Sequence, residues 1–507
     1  MAKIARREFI KYALVGGGVL TLANPKFMDA ALNFVKSIQA GGNDVEVLNY
    51  GRGSEVLIKY RSGEEVGSIA FEPGLVQARD VYPTLDAPAI QAILEVRKES
   101  PIRDPYAGLV LNTEQMDFVQ NAARRAWEYM DYYTQSNGLT LPFVVHDLSG
   151  KDDTSQSLVA CWELGSMLLA TVAGVRAGVL SQEQGSVRLK TTLTTIANLE
   201  TYKGSYTSFY DAVTLKRTDL DAPDFGRGLE GVDVGRLLIG LYSVRQNYPD
   251  FADLVAEILV KIPIDKLVAG GELQDVGYDG GQASEQTHPL SEYASIGIDL
   301  FGQQTVYQSS PIPYEQVSVD GYDFYLPSQG TITSILGPYL YQVFEMDYQH
   351  HALAFPVLEK IMMACQIREQ KTGKITATTE GSSIRRGAAN LYCAVVSRKY
   401  STYQVFPVFH HPTTQLVDPS FSMDALRFAS TGGVLSQLVL NDAFQTDFDW
   451  ATRMEYLNSA YIPGRGFYNG KYDADKQWNL DLDLNNHALL LEAAAYAITG
   501  VPLAASI

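Results

Sequence analysis

Apolar residues recur at helical spacing along most of this chain, from about residue 113 to its end. The first such segment, NTEQMDFVQNAARRAWEYMDYYTQ, opens on a Thr-Glu capping signal and repeats its apolar residues every three or four positions, which is typical of an amphipathic helix. Roughly twelve helices are predicted, and their connection lengths suit antiparallel pairs. The further helices are predicted to begin near Ser157, Gln182, Gly228, Asp250, Leu290, Thr331, Gln349, Ile384, Met423, Thr446 and Asn485.

Long loops rich in Gly, Asp, Tyr and Pro separate these helices, for example residues 202–228 and 307–330. Loops of such length without regular structure usually carry function. Six helical hairpins that close into a ring, with elaborated loops at one rim, would account for both features. The predicted fold is therefore all-α, an (α/α)6 toroid with a small N-terminal β-containing segment. A solenoid of helical repeats is the competing fold, which is disfavoured because no fixed sequence period recurs.

Three regions are predicted along the chain: a leader at 1–40, a β-containing segment and linker at 41–110, and the toroid domain at 111–507. The leader, ARREFIKYALVGGGVLTLANPKF, resembles a bacterial twin-arginine signal, with Arg6 and Arg7 before a short, mildly apolar run. That run is too short to span a bilayer comfortably, so membrane association is expected only through an uncleaved leader. A periplasmic or extracellular protein is predicted. In the second region, EVLIKYRSGEEVGSIAF indicates a hairpin.

The charge and the cysteines narrow the classes of function. A formal net charge of -18 disfavours nucleic acid, whose phosphates require basic patches, and leaves neutral polymers or cations as candidate ligands. The three cysteines show no metal-type spacing, and the adjacent pairs His350-His351 and His410-His411 make poor chelates. No phosphate loop, dinucleotide fingerprint or nucleophile elbow is present. No metal or cofactor is expected, and cofactor loading before twin-arginine export is the weakest alternative.

Five phrases, in this order, carry a resemblance to a known family: CWELGSMLLATVAGVRAGVLS, GVDVGRLLIGLYSVRQNYPDF, SEYASIGIDLFG, REQKTGKITATTEGS and LDLNNHALLLEAAAYAITG. Together they resemble the bacterial family catalogued as domain of unknown function 3131, over about residues 110 to 500. The resemblance implies an α/α toroid similar in shape to glucoamylase-like and β-1,2-glucan-processing proteins, with a carbohydrate ligand. The pair Trp162-Glu163, where an Asp is usual, marks a divergent member.

Within such a toroid, four acids are candidate catalytic residues. Glycoside cleavage by the usual routes needs one carboxyl that protonates the leaving oxygen and a second that acts as nucleophile or activates water. The four candidates are Glu380, Asp233, Glu163 and Glu292. Glu380 follows an extended segment after a helix that stops at Thr372-Gly373, and the alternative reading is a carboxylate that caps the next helix. Asp233 has the alternative of a helix-start carboxylate paired with Arg236.

Polar and aromatic side chains near these acids are candidate sugar ligands. A Trp or Tyr ring can stack on a sugar ring, and it can equally serve as a core or loop anchor. The candidate substrate-binding residues are Trp162, Arg236, Asp211, Tyr293, Tyr322, Tyr468 and Asn486.

Two classes of function remain open from the sequence. The first is an exported glycoside hydrolase or transglycosylase that acts on a bacterial glucan-type polysaccharide with two carboxyls. The second is a non-catalytic glycan-binding or cell-envelope assembly protein on the same toroid.

Overall fold

The structure, a computed structural model, describes residues 45–50, 55–60, 66–72, 75–79, 111–146, 154–218, 228–277, 281–284, 289–303, 305, 314–319, 322–327, 335–346, 354–377, 379–386, 388–397, 402–408, 423–444 and 446–505. Within these ranges the chain is mostly helical, with short strands between the helices. The predicted leader with Arg6 and Arg7 and the two histidine pairs lie outside the described residues.

The helices lie close to the predicted ones. Most begin within a few residues of the predicted start, and α8 ends before Gly373, whose φ of 63° gives the expected left-handed stop. The helices are α1 (Thr113–Tyr133), α2 (Cys161–Arg176), α3 (Gln182–Ala197), α4 (Gly231–Asn247), α5 (Ala252–Leu259), α6 (Leu290–Leu300), α7 (Gly337–Glu345), α8 (Ala354–Thr372), α9 (Thr431–Leu440), α10 (Trp450–Ala460) and α11 (Leu484–Thr499).

The strands are short and form small separate sheets. The predicted hairpin is confirmed, since β2 pairs antiparallel with β3 in the sheet β1-β2-β3-β4. The strands are β1 (Val45–Tyr50), β2 (Glu55–Tyr60), β3 (Val66–Glu72), β4 (Leu75–Arg79), β5 (Phe143–Val145), β6 (Thr154–Gln156), β7 (Leu158–Ala160), β8 (Phe209–Asp211), β9 (Val268–Ala269), β10 (Glu272–Val276), β11 (Gln282–Ser284), β12 (Tyr314–Val319), β13 (Tyr322–Pro327), β14 (Glu380–Ser383), β15 (Ala388–Ser397), β16 (Thr402–Val408), β17 (Phe428–Ser430), β18 (Tyr461–Ile462), β19 (Gly466–Phe467), β20 (Gly470–Tyr472), β21 (Trp478–Asn479) and β22 (Asp481–Asp483).

The helix predicted near Ile384 is wrong. Residues Ile384–Arg386 form a single 3-10 turn, after which β15 pairs antiparallel with β16. The sequences NLYCAVVS and TYQVFPV are rich in β-branched and aromatic residues, which favour strands over helices. The helix predicted near Met423 also begins later, because Met423–Leu426 is a 3-10 turn and α9 starts at Thr431.

The innermost helices are buried on almost every side. All residues of α2 from Cys161 to Gly174 and of α11 from Leu484 to Ala497 are buried, as expected for helices that are apolar all round. Contacts link these helices in a closed circuit: α2 packs on α4, α4 on α6, α6 on α7, α7 on α11, and α11 on α2, while α9 also packs on α11. Other helices lie outside this circuit, with α1 on α11, α3 on α2, α8 on α7 and α10 on α9.

The inner helices approach one another through glycines near their N-terminal ends. A Cβ at Gly165 of α2 would lie 2.6 Å from the carbonyl oxygen of Arg236 in α4, and a Cβ at Gly235 would overlap Ala294 in α6. Ser166 donates a hydrogen bond to Asn485 Oδ1 of α11 at 2.6 Å. Because all of these contacts join the first two turns of the helices, the N-terminal ends of α2, α4, α6 and α11 lie side by side.

We expect Gly235→Ala to destabilise the protein by about 1–3 kcal/mol, because the added methyl group must displace the backbone of α6. Urea unfolding of the purified protein measures this loss. Gly337→Ala is the matched control, since a Cβ there would meet only the Tyr341 ring, at 3.6 Å. Equal stability of the two variants would contradict the close approach of α4 and α6.

The described ranges contain neither a candidate membrane-spanning helix nor a candidate metal site. No helix among them is long and apolar enough to cross a membrane. No group of three or more His, Cys, Asp and Glu side chains among them could hold a metal ion. Cys161 and Cys365 are buried free thiols, and the side chain of Cys393 lies outside the described part of the chain.

Candidate active site

Several carboxyls come together at the N-terminal ends of the inner helices. Glu163, Asp233 and Glu292 lie in the first turns of α2, α4 and α6. Asp483 is the N-cap of α11, where its Oδ1 accepts the Asn485 N–H at 2.7 Å. Negative charge at a helix N-terminus is favourable, which accounts locally for acids at these positions. Three of the four predicted catalytic acids therefore start neighbouring helices, and Asp483 adds a fourth helix start.

Glu380, the remaining predicted acid, is the first residue of strand β14, and its side chain is partly exposed. Its Oε1 accepts a hydrogen bond from the Tyr341 hydroxyl at 2.5 Å. Burial raises the pKa of Glu380 to about 7, and the Tyr341 hydrogen bond and the charge of Arg236 oppose that rise. No α-helix follows Glu380 directly, so the helix-cap alternative is wrong. The carboxyl is available in both protonation states near neutral pH, as a general acid requires.

Carboxyls of α2, α7 and α11 interact electrostatically with Glu380. The charges of Glu163 and Glu345 raise its pKa further. In turn, the charge of Glu380 raises the pKa values of Asp483 and Glu492, both of which are raised above all by burial. Glu380 therefore interacts with four other carboxyls, and the positive charge of Arg236 offsets part of their effect on its pKa.

Arg236 lies below this group of acids, fully buried and hydrogen-bonded on all sides. Its Nε donates to Ser166 Oγ at 2.8 Å, and its Nη1 donates to Tyr293 Oη at 2.8 Å and to Glu345 Oε1 at 2.7 Å. Its Nη2 donates to Glu492 Oε1 at 3.2 Å. The predicted sugar ligand Arg236 thus points into the interior, and its carboxylate partners are Glu345 and Glu492 of α7 and α11.

Three aromatic rings enclose the guanidinium. The Arg236 carbon Cζ lies 4.1 Å from the ring centre of Tyr341, 4.8 Å from that of Trp162 and 5.7 Å from that of Tyr293. Trp162 and Tyr293, both predicted as sugar platforms, are buried against each other with ring centres 5.7 Å apart. These rings exclude water from Arg236 and hold the Tyr341 hydroxyl toward Glu380.

The carboxyl of Glu163 accepts two hydrogen bonds at the start of α2. Its Oε2 accepts the Ala160 N–H at 2.9 Å, and its Oε1 accepts from the Asn485 amide at 3.2 Å. Burial raises the pKa of Glu163, while these two hydrogen bonds and the charge of Arg236 hold it down. The pKa of Glu163 is raised overall, and its two hydrogen-bond donors and the nearby charge of Arg236 limit that rise.

Glu292 differs from the other acids because its surroundings offer it no hydrogen bond. Glu292 is 0% exposed, and neither of its carboxyl oxygens has a hydrogen-bond partner among the residues that the structure describes. Burial raises the pKa of Glu292 to about 8, so the neutral form dominates at neutral pH. Glu292 is thus a protonated carboxyl at the start of α6, and it is more deeply buried than Glu380.

The remaining predicted ligands lie in different places. Asp211 ends β8, where its Oδ1 accepts the Thr214 N–H at 2.7 Å. Tyr468 is buried against Trp478 with ring centres 6.0 Å apart. Asn486 joins two helices, since its Nδ2 donates to Thr431 of α9 at 2.7 Å. Tyr322 begins β13, and its side chain lies outside the described part of the chain.

The sequence interpretation missed Tyr341, Glu345, Asp483 and Glu492. The sequence does contain a signal for a buried acid at Glu345 and at Glu492, because each is the single acid within an apolar stretch, YLYQVFEM and ALLLEAAAYA. A buried acid in an otherwise apolar helix needs a cationic or hydrogen-bonding partner. Asp483 precedes the apolar start of α11, which is the usual place of an N-cap.

Tyr341→Phe tests the contact to Glu380, because it removes the hydroxyl but keeps the ring beside Arg236. The Tyr341 hydrogen bond holds the pKa of Glu380 down, so its loss should move the Glu380 titration above pH 7. Carboxyl titration by ¹³C NMR of glutamate-labelled protein measures this shift, with Glu380→Gln used to assign the signal. A midpoint that stays at its parent value would contradict the contact.

The fold and the site together define a mostly helical protein whose carboxyls gather at the N-terminal ends of buried helices. The chain belongs to the family described as "Protein of unknown function (DUF3131)", which matches residues 121–500. The resemblance drawn from the five sequence phrases is confirmed. No curated protein sequence matches this chain.

Solved structures share the glucoamylase-like fold. A putative glucoamylase from Bacteroides caccae is 14% identical with a TM-score of 0.54, covering 76% of this chain and 93% of that chain. An endo-β-1,2-glucanase from Chitinophaga pinensis, in complex with sophorotriose and glucose, is 13% identical with a TM-score of 0.54 and the same coverage of 76% and 93%. A mutant endo-β-1,2-glucanase from Talaromyces funiculosus, in complex with β-1,2-glucan, is 13% identical with a TM-score of 0.52, covering 77% and 87%. At these identities the similarity shows the fold alone.

Proposed function

We propose that this protein is an exported glycoside hydrolase or transglycosylase that acts on a glucan-type polysaccharide, built on an (α/α)6 toroid. The closed circuit of inner helices and the outer helices packed on them support the toroid. The glucanases of similar fold support a glucan, and their named ligands make β-1,2-glucan the first substrate to test. The observation that carries the proposal is Glu380, a partly exposed residue whose carboxyl has a pKa of about 7 among other acids.

In the proposed reaction, Glu380 donates its proton to the glycosidic oxygen while the bond from that oxygen to the anomeric carbon breaks. Glu163 supplies the second carboxyl, either as the base that takes a proton from the attacking water or as the nucleophile. Asp233, partly exposed in the first turn of α4, is the alternative second carboxyl. Asp211 and Tyr322 are proposed at the sugar subsites, whereas Trp162, Arg236, Tyr293, Tyr468 and Asn486 are proposed to act from buried positions, by holding the residues that line the site.

The test is turnover of β-1,2-glucan by the purified protein, followed by chromatography of the released or transferred oligosaccharides. Turnover is expected from the parent, and linkage variants of the glucan define its specificity. A parent that binds glucans without converting any of them would contradict the enzyme and leave a glycan-binding protein. The burial of Glu163 and Glu292 is the observation that favours this second candidate, since a catalytic carboxyl must reach its substrate.

Glu163→Gln should lower kcat by about a hundredfold or more on any glucan that the parent converts, because the amide can neither attack nor accept a proton. Asp233→Asn distinguishes the two candidates for this role. Equal, small effects of both substitutions would remove the two-carboxyl mechanism with either of these residues.

Export by the twin-arginine route is proposed from Arg6 and Arg7 alone. Fusing residues 1–40 to a reporter that functions only outside the cytoplasm tests this route. Export that persists after both arginines are replaced by lysine would contradict it.

A further inference from the structure

The two carboxyls beside Arg236 are bound unequally. Glu345 accepts the shorter bond from the guanidinium, 2.7 Å against 3.2 Å for Glu492, and also accepts from the Tyr293 hydroxyl. Within the described part of the chain no N–H or O–H group donates to the second oxygen of Glu492, Oε2. The carboxyls of Glu345 and Glu492 are themselves in hydrogen-bonding contact. All three charged side chains are fully buried. One cation with two carboxyls would carry a net negative charge in the interior if both carboxyls were ionised.

An extra buried charge is costly, and a carboxyl escapes that cost by binding a proton. Burial and the charge of Glu345 raise the pKa of Glu492 well above its usual range. Burial also raises the pKa of Glu345, but Arg236 and Tyr293 oppose this rise. Because Arg236 and Tyr293 both donate to Glu345, they stabilise a carboxylate there, and Glu492 is the carboxyl that binds the proton.

We propose that Glu345 and Glu492 share a single negative charge that neutralises Arg236, and that this neutral unit, packed against Tyr341, allows Glu380 to stay protonated as a general acid. Arg236, Glu345 and Glu492 are positioning residues in this arrangement. This inference deepens the proposed function and rests on it for the role of Glu380, but the charge state itself does not depend on catalysis.

Two contacts connect the unit of Arg236, Glu345 and Glu492 to Glu380. The Arg236 guanidinium lies against the Tyr341 ring, and the Tyr341 hydroxyl donates to Glu380. The titratable groups that act on Glu380 are Glu163 of α2, Arg236 of α4, Tyr341 and Glu345 of α7, and Asp483 and Glu492 of α11. A neutral unit beneath Glu380 leaves burial as the dominant influence, which keeps the carboxyl protonated near neutral pH. An uncompensated Arg236 would instead favour its ionised form.

The charge state is tested by infrared spectroscopy of protein labelled with ¹³C-glutamate, which detects protonated carboxyls in the absence of any substrate. At pH 9 the parent should contain one protonated glutamate more than either Glu345→Gln or Glu492→Gln. Glu345→Gln decides the matter, because it retains Glu492 and yet should lose this signal as Glu492 takes over the charge. Persistence of the signal in Glu345→Gln, or its absence from the parent, would overturn the shared charge.

The coupling to Glu380 is tested by its titration midpoint in the same spectra. Each single variant retains one anion beside Arg236, so the midpoint should stay near its parent value. The double variant Glu345→Gln/Glu492→Gln leaves Arg236 uncompensated, and the midpoint should fall by about one pH unit or more. Adding Arg236→Gln to the double variant removes the charge and should restore the midpoint.

Two results would overturn the link between the unit and Glu380. One is a Glu380 midpoint that falls as far in the single variants as in the double variant, and the other is a midpoint that does not move in the double variant. If the double variant does not fold, the spectra of the two single variants still decide whether the charge is shared. In an active enzyme, the alkaline limb of kcat/KM should follow the Glu380 midpoint across the variants. Failure of glucan turnover would remove the proposed function and leave the infrared results intact.

Discussion

Glu380→Gln should abolish turnover of β-1,2-glucan, with a loss in kcat of about a thousandfold. The amide cannot donate a proton to the leaving oxygen, and general acid catalysis by a positioned side chain contributes about 10²–10⁴-fold. The fold should survive, because glutamine has the same shape and its amide oxygen can still accept from Tyr341. Initial rates measured at pH 6 to 8, together with oligosaccharide affinity, separate lost chemistry from lost binding.

Two further variants serve as the control and the comparison for Glu380→Gln. Glu455→Gln, on the exposed side of α10, is the control and should retain parent activity. Glu292→Gln is the closer comparison, since Glu292 is also a protonated carboxyl at neutral pH. A large loss from Glu292→Gln together with a small loss from Glu380→Gln would transfer the acid role from Glu380 to Glu292.

Arg236→Met should be the most destabilising single change, by about 3–5 kcal/mol in the free energy of unfolding. It removes the cation from between two buried carboxyls, and breaking a buried ion pair from one side has a cost of this size. Without Arg236 the folded-state pKa of Glu345 rises further above its unfolded value. Folding then takes up a proton, so the deficit should shrink as the pH falls and grow as it rises. Urea unfolding at pH 5 and pH 8 measures both effects.

Arg245→Met is the matched control on the same helix. Arg245 is partly exposed and lies 5.3 Å from the ring centre of Tyr242 and 5.1 Å from that of Phe301. Its loss should cost about 0.5–1 kcal/mol, with little dependence on pH. Similar losses from the two substitutions would show that Arg236 does not hold a buried charge unit.

The sequence allowed the helices and the acids at their starts to be predicted, because helical periodicity and N-terminal acids are local features. The stop after Thr372 and the acids Glu163, Asp233 and Glu292 are examples of such local signals. The wrong prediction near Ile384 has a local cause as well, since the apolar residues that follow it fit a helical spacing but are β-branched and aromatic, which favours a strand.

The contacts between helices could not be predicted in the same way. The sequence predicts Arg236 as a sugar ligand, whereas its partner Glu345 lies 109 positions further along the chain. Its other carboxylate partner, Glu492, lies 256 positions away. The packing of the helices brings Arg236, Glu345 and Glu492 together. The spacing of residues within a single helix does not predict that packing. The lone acids in apolar helices indicated that partners must exist, but not which ones.

The most direct test of the account is a crystal of Glu380→Gln soaked with a β-1,2-linked glucan oligosaccharide. The account predicts a sugar chain across the N-terminal ends of the inner helices, with the side chain at position 380 about 3 Å from a glycosidic oxygen. It also predicts a second carboxyl, that of Glu163 or Asp233, on the opposite side of the same bond. A sugar chain bound elsewhere, or one whose glycosidic oxygens all lie beyond hydrogen-bonding reach of position 380, would contradict the account.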